Sequence, residues 1–114
     1  VAVAMLSHLG HRVIAARDGA EAIALYEKHR AASTPIDLVL MDLTIPGGMG
    51  GLEASRRILA LDSDACLIVS SGYSHDPVMS DHQAYGFSGV LAKPYTVVEL
   101  GQALQAVLAA RHPR

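Results

Sequence analysis

The chain has 114 residues, 51% of them apolar, and a formal net charge of -2. That length suits a single domain with one buried core, and the apolar share excludes a disordered chain. The near-neutral charge leaves no basic excess for direct nucleic-acid binding, and the apolar runs Val1 to Leu6 and Ala103 to Ala110 fall short of the roughly 18 residues a membrane span needs.

Val1 to Leu9 is apolar nearly all round and is followed by Gly10, so it reads as the tail of a buried helix. No basic segment or small-residue cleavage site marks a secretory leader. Arg12 to Ala16 is expected to be a short strand. Asp18 and Glu21 then stand at the spacing of a capping box, opening a helix to about Arg30 with Ala22, Leu25 and Tyr26 as its inner stripe. Ser33-Thr34-Pro35 ends that helix. Ile36 to Asp42 contains a short apolar run, Leu38 to Met41, of the kind covered on both faces inside a parallel sheet. It runs straight into the carboxylate of Asp42 and a Pro/Gly loop, Leu43 to Gly51.

Leu52 to Leu61 is expected as a helix exposing Glu53, Arg56 and Arg57. Asp62 to Asp64 turns the chain into a strand from Ala65 to Ser70, closing on the hydroxyls Ser70 and Ser71. The single cysteine, Cys66, cannot form an internal disulfide and its apolar setting points to packing, in keeping with a reducing, cytoplasmic setting. Asp76-Pro77 has the signature of a helix start, and the short helix stops near Tyr85-Gly86. Gly89 to Ala92 is the last strand and ends at Lys93-Pro94. Thr96 and Glu99 form a second capping box, and Leu100, Ala103, Leu104, Val107 and Leu108 give the clearest amphipathic helix, with Arg111 at its end and Pro113 stopping it. Strands alternating with helices through short connections imply βα units, right-handed crossovers and a parallel sheet.

In a parallel sheet the ends of successive strands share one edge, where ligands bind. Asp42, Ser71 and Lys93 would therefore converge. A carboxylate can attack a phosphoryl group to give an acyl phosphate. The loose transition state of that transfer needs cations and hydrogen-bond donors more than an acid or a base. Lys93 supplies a charge, Ser71 a hydroxyl, and a bound Mg²⁺ the remaining compensation. Taken singly, Asp42 and Ser71 are ordinary turn residues and Lys93 a solvated lysine; at three strand ends together they are not. The six histidines are scattered and form no ligand set. Gly47 to Gly51 lacks the lysine and spacing of a phosphate-binding loop, and no nucleophile elbow occurs. A phosphatase of the haloacid dehalogenase type needs a second Asp where Thr44 stands.

On Asp42 closing its apolar strand, the Pro46-Gly47 loop, Ser71-Gly72 and Lys93-Pro94, the chain resembles a response-regulator receiver domain over essentially all 114 positions. The resemblance implies a flavodoxin-like, doubly wound α/β fold with strand order 2-1-3-4-5 and a cis Lys93-Pro94 peptide. It makes Asp42 the phosphoacceptor, Ser71 the switch hydroxyl and Lys93 the ionic partner, with Mg²⁺ held by Asp42 and the Thr44 backbone carbonyl. The implied partner is the phosphotransfer/dimerisation domain of a histidine kinase, and the implied output is a shift of the fourth and fifth helices and last strand. The chain is then a phosphoacceptor and not an enzyme with a diffusible substrate. The loop Thr44 to Gly51 is similar to loops in receivers of hybrid sensor histidine kinases.

The sequence departs from the family in two ways. Receivers open with a central strand ending in acidic residues, and Val1 follows that point. Its absence implies a gap of about 10 Å, roughly two strand spacings. The expectation is an N-terminally incomplete receiver, or a strand supplied by a second copy in a swapped homodimer. Second, Val90 stands where many receivers carry a switching aromatic ring, so coupling would run through Tyr95 or the packing of the fourth helix. The competing reading is a degenerate receiver, a phosphorylation-independent protein-interaction module.

Overall fold

The computed structural model describes residues 2–16, 18–34, 36–42, 51–72 and 77–110. Its elements are α1 (Ala2–His8), α2 (Gly19–Ala31), β1 (Val39–Asp42), α3 (Gly51–Leu61), β2 (Leu67–Ser71), α4 (Pro77–Ser80), a 3₁₀ turn (His82–Tyr85), β3 (Gly89–Ala92) and α5 (Val97–Ala110).

Every residue of β2 is buried. Successive strand side chains point to opposite faces, so an apolar run of this kind must be covered on both sides. β1 and β3 flank β2, both parallel to it, in the order β1-β2-β3. Leu67 and Val69 join a core cluster with Met41, Ala54, Ile58 and Phe87. Ile68 belongs to a second cluster with Leu91, Leu100, Leu104 and Val107. The sheet thus separates two apolar layers. The α3 pair Ala54 and Ile58 and the α2 residues Ile23 and Tyr26 belong to the first. The stripe of α5 belongs to the second, with Met5 and Leu6 of α1 packed against it.

Local chemistry sets the helix ends. The Asp18 carboxylate accepts from the Glu21 N–H at 2.9 Å. At the start of α5, the Thr96 N–H donates to Glu99 and the Glu99 N–H to the Thr96 hydroxyl, a complete capping box. Gly86 closes the 3₁₀ turn at φ +88°, where a side chain would meet the left-handed penalty and the Leu59 methyl at 2.5 Å.

Three expectations are corrected. Arg12 to Ala16 forms no strand: residues 11–16 have no regular structure. A strand needs a neighbour to complete its hydrogen bonds, and β1 lies across a slot of about 920 Å³ lined by Val13, Ile14, Leu38 and Leu40, with Leu6 and Leu25 also in its walls. The sheet among the described residues accordingly has three strands, the last three of the expected five. Second, α1 is not buried all round; Val3 is 47% and Leu9 37% exposed, because the helix is covered on the side that meets α5. Third, β2 starts at Leu67 and runs through Ser71, leaving Cys66 half-buried against the second cluster. Of the expected α2 stripe, Tyr26 is buried, while Ala22 and Leu25 are half-buried beside the slot. Asp76, Arg111 and Pro113 lie outside the described residues. No described helix is long and apolar enough to cross a membrane.

A polar clasp joins α2 to the turn after α3. The Tyr26 hydroxyl donates to Asp62 Oδ2 at 2.9 Å, and the Arg30 guanidinium donates to the Leu61 carbonyl. Burial, and then the bond to Asp62, hold the Tyr26 phenol well above its ordinary value. The folded protein keeps this proton where the unfolded chain releases it, so the clasp's contribution falls as pH rises past about 10. Tyr26→Phe is expected to lower stability by about 1 kcal/mol near neutral pH and to flatten the alkaline decline; urea unfolding midpoints at neutral and alkaline pH check both.

Candidate functional site

Because the strands are parallel, β1, β2 and β3 all finish on one edge of the sheet. Asp42 is the last residue of β1 and stands in register with Ser70; Ser71, the last of β2, stands in register with Ala92. Lys93 follows directly, its N–H donating to the Ser71 carbonyl at 3.0 Å. The Lys93-Pro94 peptide is cis and turns the chain toward α5.

Lys93 Nζ donates to Asp42 Oδ2 at 2.5 Å, across 51 positions of sequence. The two side chains are 34% and 36% exposed. A pair this open to water is screened and contributes about 0–1 kcal/mol to stability. It is nonetheless a carboxylate within reach of solvent and held beside a cation. An incoming anionic group would meet both together.

Of the four residues read from the sequence, Asp42 and Lys93 are thus in direct contact. Ser71 is 1% exposed at the neighbouring strand end and is engaged in polar interaction. Thr44 lies outside the described residues. The donor set fits a hard cation of modest affinity. Mg²⁺ is commonly held by one or two carboxylates, with waters and phosphate oxygens completing an octahedron. Asp42 supplies one carboxylate, and no group of three or more His, Cys, Asp or Glu gathers among the described residues.

Ser70 is the residue that sequence reasoning passed over. It is 1% exposed, and its Oγ has no hydrogen-bond partner among the described residues. The only signal in the sequence was a second hydroxyl beside Ser71. Val90 is half-buried against the first cluster and Tyr95 against the second.

Comparison with known proteins fits this arrangement. Residues 1–105 match the family model of the response regulator receiver domain. The chain is 33% identical over 111 residues to the sensor histidine kinase AruS of Pseudomonas aeruginosa, covering 94% of this chain and 10% of the kinase. It therefore spans about a tenth of that relative's length. It is 28% identical over 99 residues to sporulation initiation phosphotransferase F of Bacillus subtilis, covering 87% of this chain and 75% of that protein. Among solved structures, the receiver domain of sensor histidine kinase PA1611 from Pseudomonas aeruginosa, with a magnesium ion coordinated in its active site cleft, superposes with a TM-score of 0.82 at 29% identity. That match covers 96% of this chain and 86% of the other.

Since the Lys93–Asp42 pair is a third exposed, Lys93→Met is expected to shift stability by less than about 1 kcal/mol, read from urea unfolding. A loss of several kcal/mol would make the pair a structural strut.

Proposed function

The chain belongs to the response regulator receiver family, and on that premise we propose that Asp42 accepts a phosphoryl group from a histidine kinase in a two-component phosphorelay. A carboxylate oxygen of Asp42 attacks the phosphorus of a phosphohistidine. The new O–P bond forms as the P–N bond breaks, and the N–P electron pair returns to the imidazole. In the loose transition state, charge spreads over three equatorial oxygens. Lys93, already beside Asp42, offers its ammonium to those oxygens, and Ser71 offers a hydroxyl from the adjoining strand end. Asp42 and the Thr44 carbonyl would hold Mg²⁺, whose charge, when bound, offsets that of the phosphoryl oxygens.

The observation that carries this reading is the contact between Lys93 Nζ and Asp42 Oδ2 at the shared edge of parallel strands. The likeness to AruS and to the PA1611 receiver supports placement in a hybrid sensor kinase, and the single cysteine fits a reducing, cytoplasmic setting. Phosphorylation adds about 1.5 to 2 negative charges, drawing Lys93 and Ser71 inward and biasing the surface formed by α4, β3 and α5. With valine at position 90, Tyr95 and the packing of α4 carry that bias.

Incubation with a small acyl phosphate and Mg²⁺ tests the assignment. The wild type is expected to gain one phosphoryl mass, Lys93→Met to gain it at least tenfold more slowly (a loss of about 1.4 kcal/mol of transition-state stabilisation), and Asp42→Asn to gain none. Unchanged labelling of Asp42→Asn refutes it. Absence of uptake by the wild type favours the phosphorylation-independent interaction module.

We propose further that the receiver sheet is completed to the order 2-1-3-4-5 by an extended segment laid in the slot beside β1, in line with Arg12 to Ala16. The Val39 N–H bonds the Cys66 carbonyl beside β2, so by alternation the Leu40 main chain faces the slot. A second copy of the chain can supply that segment by strand exchange. Hydrogen exchange at the Leu40 amide reads the slot: fast in the 1–114 monomer, slow once it is filled. Slowing that grows with protein concentration identifies exchange between copies. Slow exchange in a monomer of residues 1–114 rejects the proposal.

A further inference from the structure

The helices on the two sides of the sheet differ in charge. α2 and α3, 13 and 11 residues long, carry seven Lys, Arg, Asp or Glu side chains. α1 and α5, 7 and 14 residues long, carry only Glu99, whose carboxylate is engaged in the capping box with Thr96. A helix that faces water normally keeps charge on that side. α5 does face water: Val98 is 63% exposed, and Gln102, Gln105 and Ala109 are exposed with it. These four recur at spacings of four, three and four, the seam along which one helix meets another. Leu9, 37% exposed, widens the seam. It lies against Gly101, whose neighbours one turn away on the same face are Val98 and Gln105. The result is an uncharged ridge, and depletion of charge marks the centre of a protein interface.

We infer that this ridge docks a second copy of the chain, the two α5 helices lying antiparallel across a two-fold axis. The pattern reads the same from either end. Val98 of each copy faces Ala109 of the other, a large side chain against a small one, and Gln102 faces Gln105. A side-chain amide carries donors and an acceptor together, so two of them satisfy each other where two carboxylates or two ammonium groups would repel. Antiparallel pairing also sets the positive end of each helix dipole beside the negative end of the other. A charged partner finds no complement on the ridge; an identical one finds a match at all four positions. The contact is one helix pair with a leucine at its flank, which makes the dimer weak and reversible. None of these five residues lines the slot beside β1, and the docking does not depend on modification of Asp42.

Sedimentation equilibrium of the 114-residue chain from about 10 µM to about 1 mM, the range of a weak contact, tests this for the wild type, Val98→Lys, Ala109→Glu and the chain carrying both substitutions. The wild type is expected to dimerise within that range. Each single substitution is expected to weaken the dimer about tenfold or more, since it buries two charges without partners. The chain with both is expected to recover most of the affinity, because antiparallel pairing brings the ammonium of each copy to the carboxylate of the other. Recovery also shows that the single substitutions leave the fold intact. A wild type that stays monomeric throughout overturns the inference, and so does a doubly substituted chain that fails to recover. A dimer unmoved by either single substitution overturns it as well; slowed exchange at the Leu40 amide in that dimer would trace it to strand exchange in the slot.

Discussion

A strand that is apolar on both faces cannot stand at a surface, and most of this molecule follows from covering β2. Leu67 and Val69 require one apolar layer, Ile68 the other. Helices can supply both only if successive strands run parallel, because each helix must carry the chain back across the sheet to start the next strand. Parallel strands in turn finish on one edge. The chemistry at that edge is therefore a by-product of the packing: the turn from strand to loop falls at Asp42, at Ser71 and at Lys93, whatever residue types occupy those positions. What selects a function is that these positions hold a carboxylate, a hydroxyl and an ammonium.

The burial of those groups is graded, and the grading separates structure from chemistry. Ser71 and Ser70 lie at 1% exposure, inside the edge of the sheet. Asp42 and Lys93 stand a third exposed, one step further out. A fully buried Asp–Lys pair would carry a desolvation penalty and would be closed to a macromolecular phosphodonor. A fully exposed pair would not hold a fixed geometry. At the intermediate position the pair adds little to stability, and on the proposed reading each group can exchange its partner for a phosphoryl oxygen. A polar fastening of the fold lies elsewhere, in the Tyr26–Asp62 bond between α2 and the turn after α3.

How much of this could be read from the sequence depends on how local each signal is. The capping residues Asp18, Thr96 and Glu99 act within one turn of a helix, and they do what their spacing implied. The ends of β1 and β3 were legible because an apolar run stops at a charged residue, and the cis Lys93-Pro94 peptide was implied by the family resemblance. Arg12 to Ala16 was misread for a physical reason: its pattern is that of a strand, but a strand exists only with a neighbour, and β1 lies across a slot of about 920 Å³. The Tyr26–Asp62 bond joins residues 36 positions apart and has no local signature. Ser70 was hidden differently. Its hydroxyl was visible, but whether it had a partner depends on three-dimensional packing.

The slot and the site are not independent. Asp42 lines the slot as well as meeting Lys93, so β1 is a shared wall. Among the described residues this wall is held by ladder bonds from β2 alone. A strand bonded on one edge is freer to twist than one bonded on both, and the displacement is greatest at its end, where Asp42 stands. Phosphoryl transfer is sensitive to such freedom, because misplacement by an ångström can lower a rate about a hundredfold. Filling the slot would thus act on the chemistry without adding any group to it, by fixing β1 and with it the distance from Asp42 to Lys93.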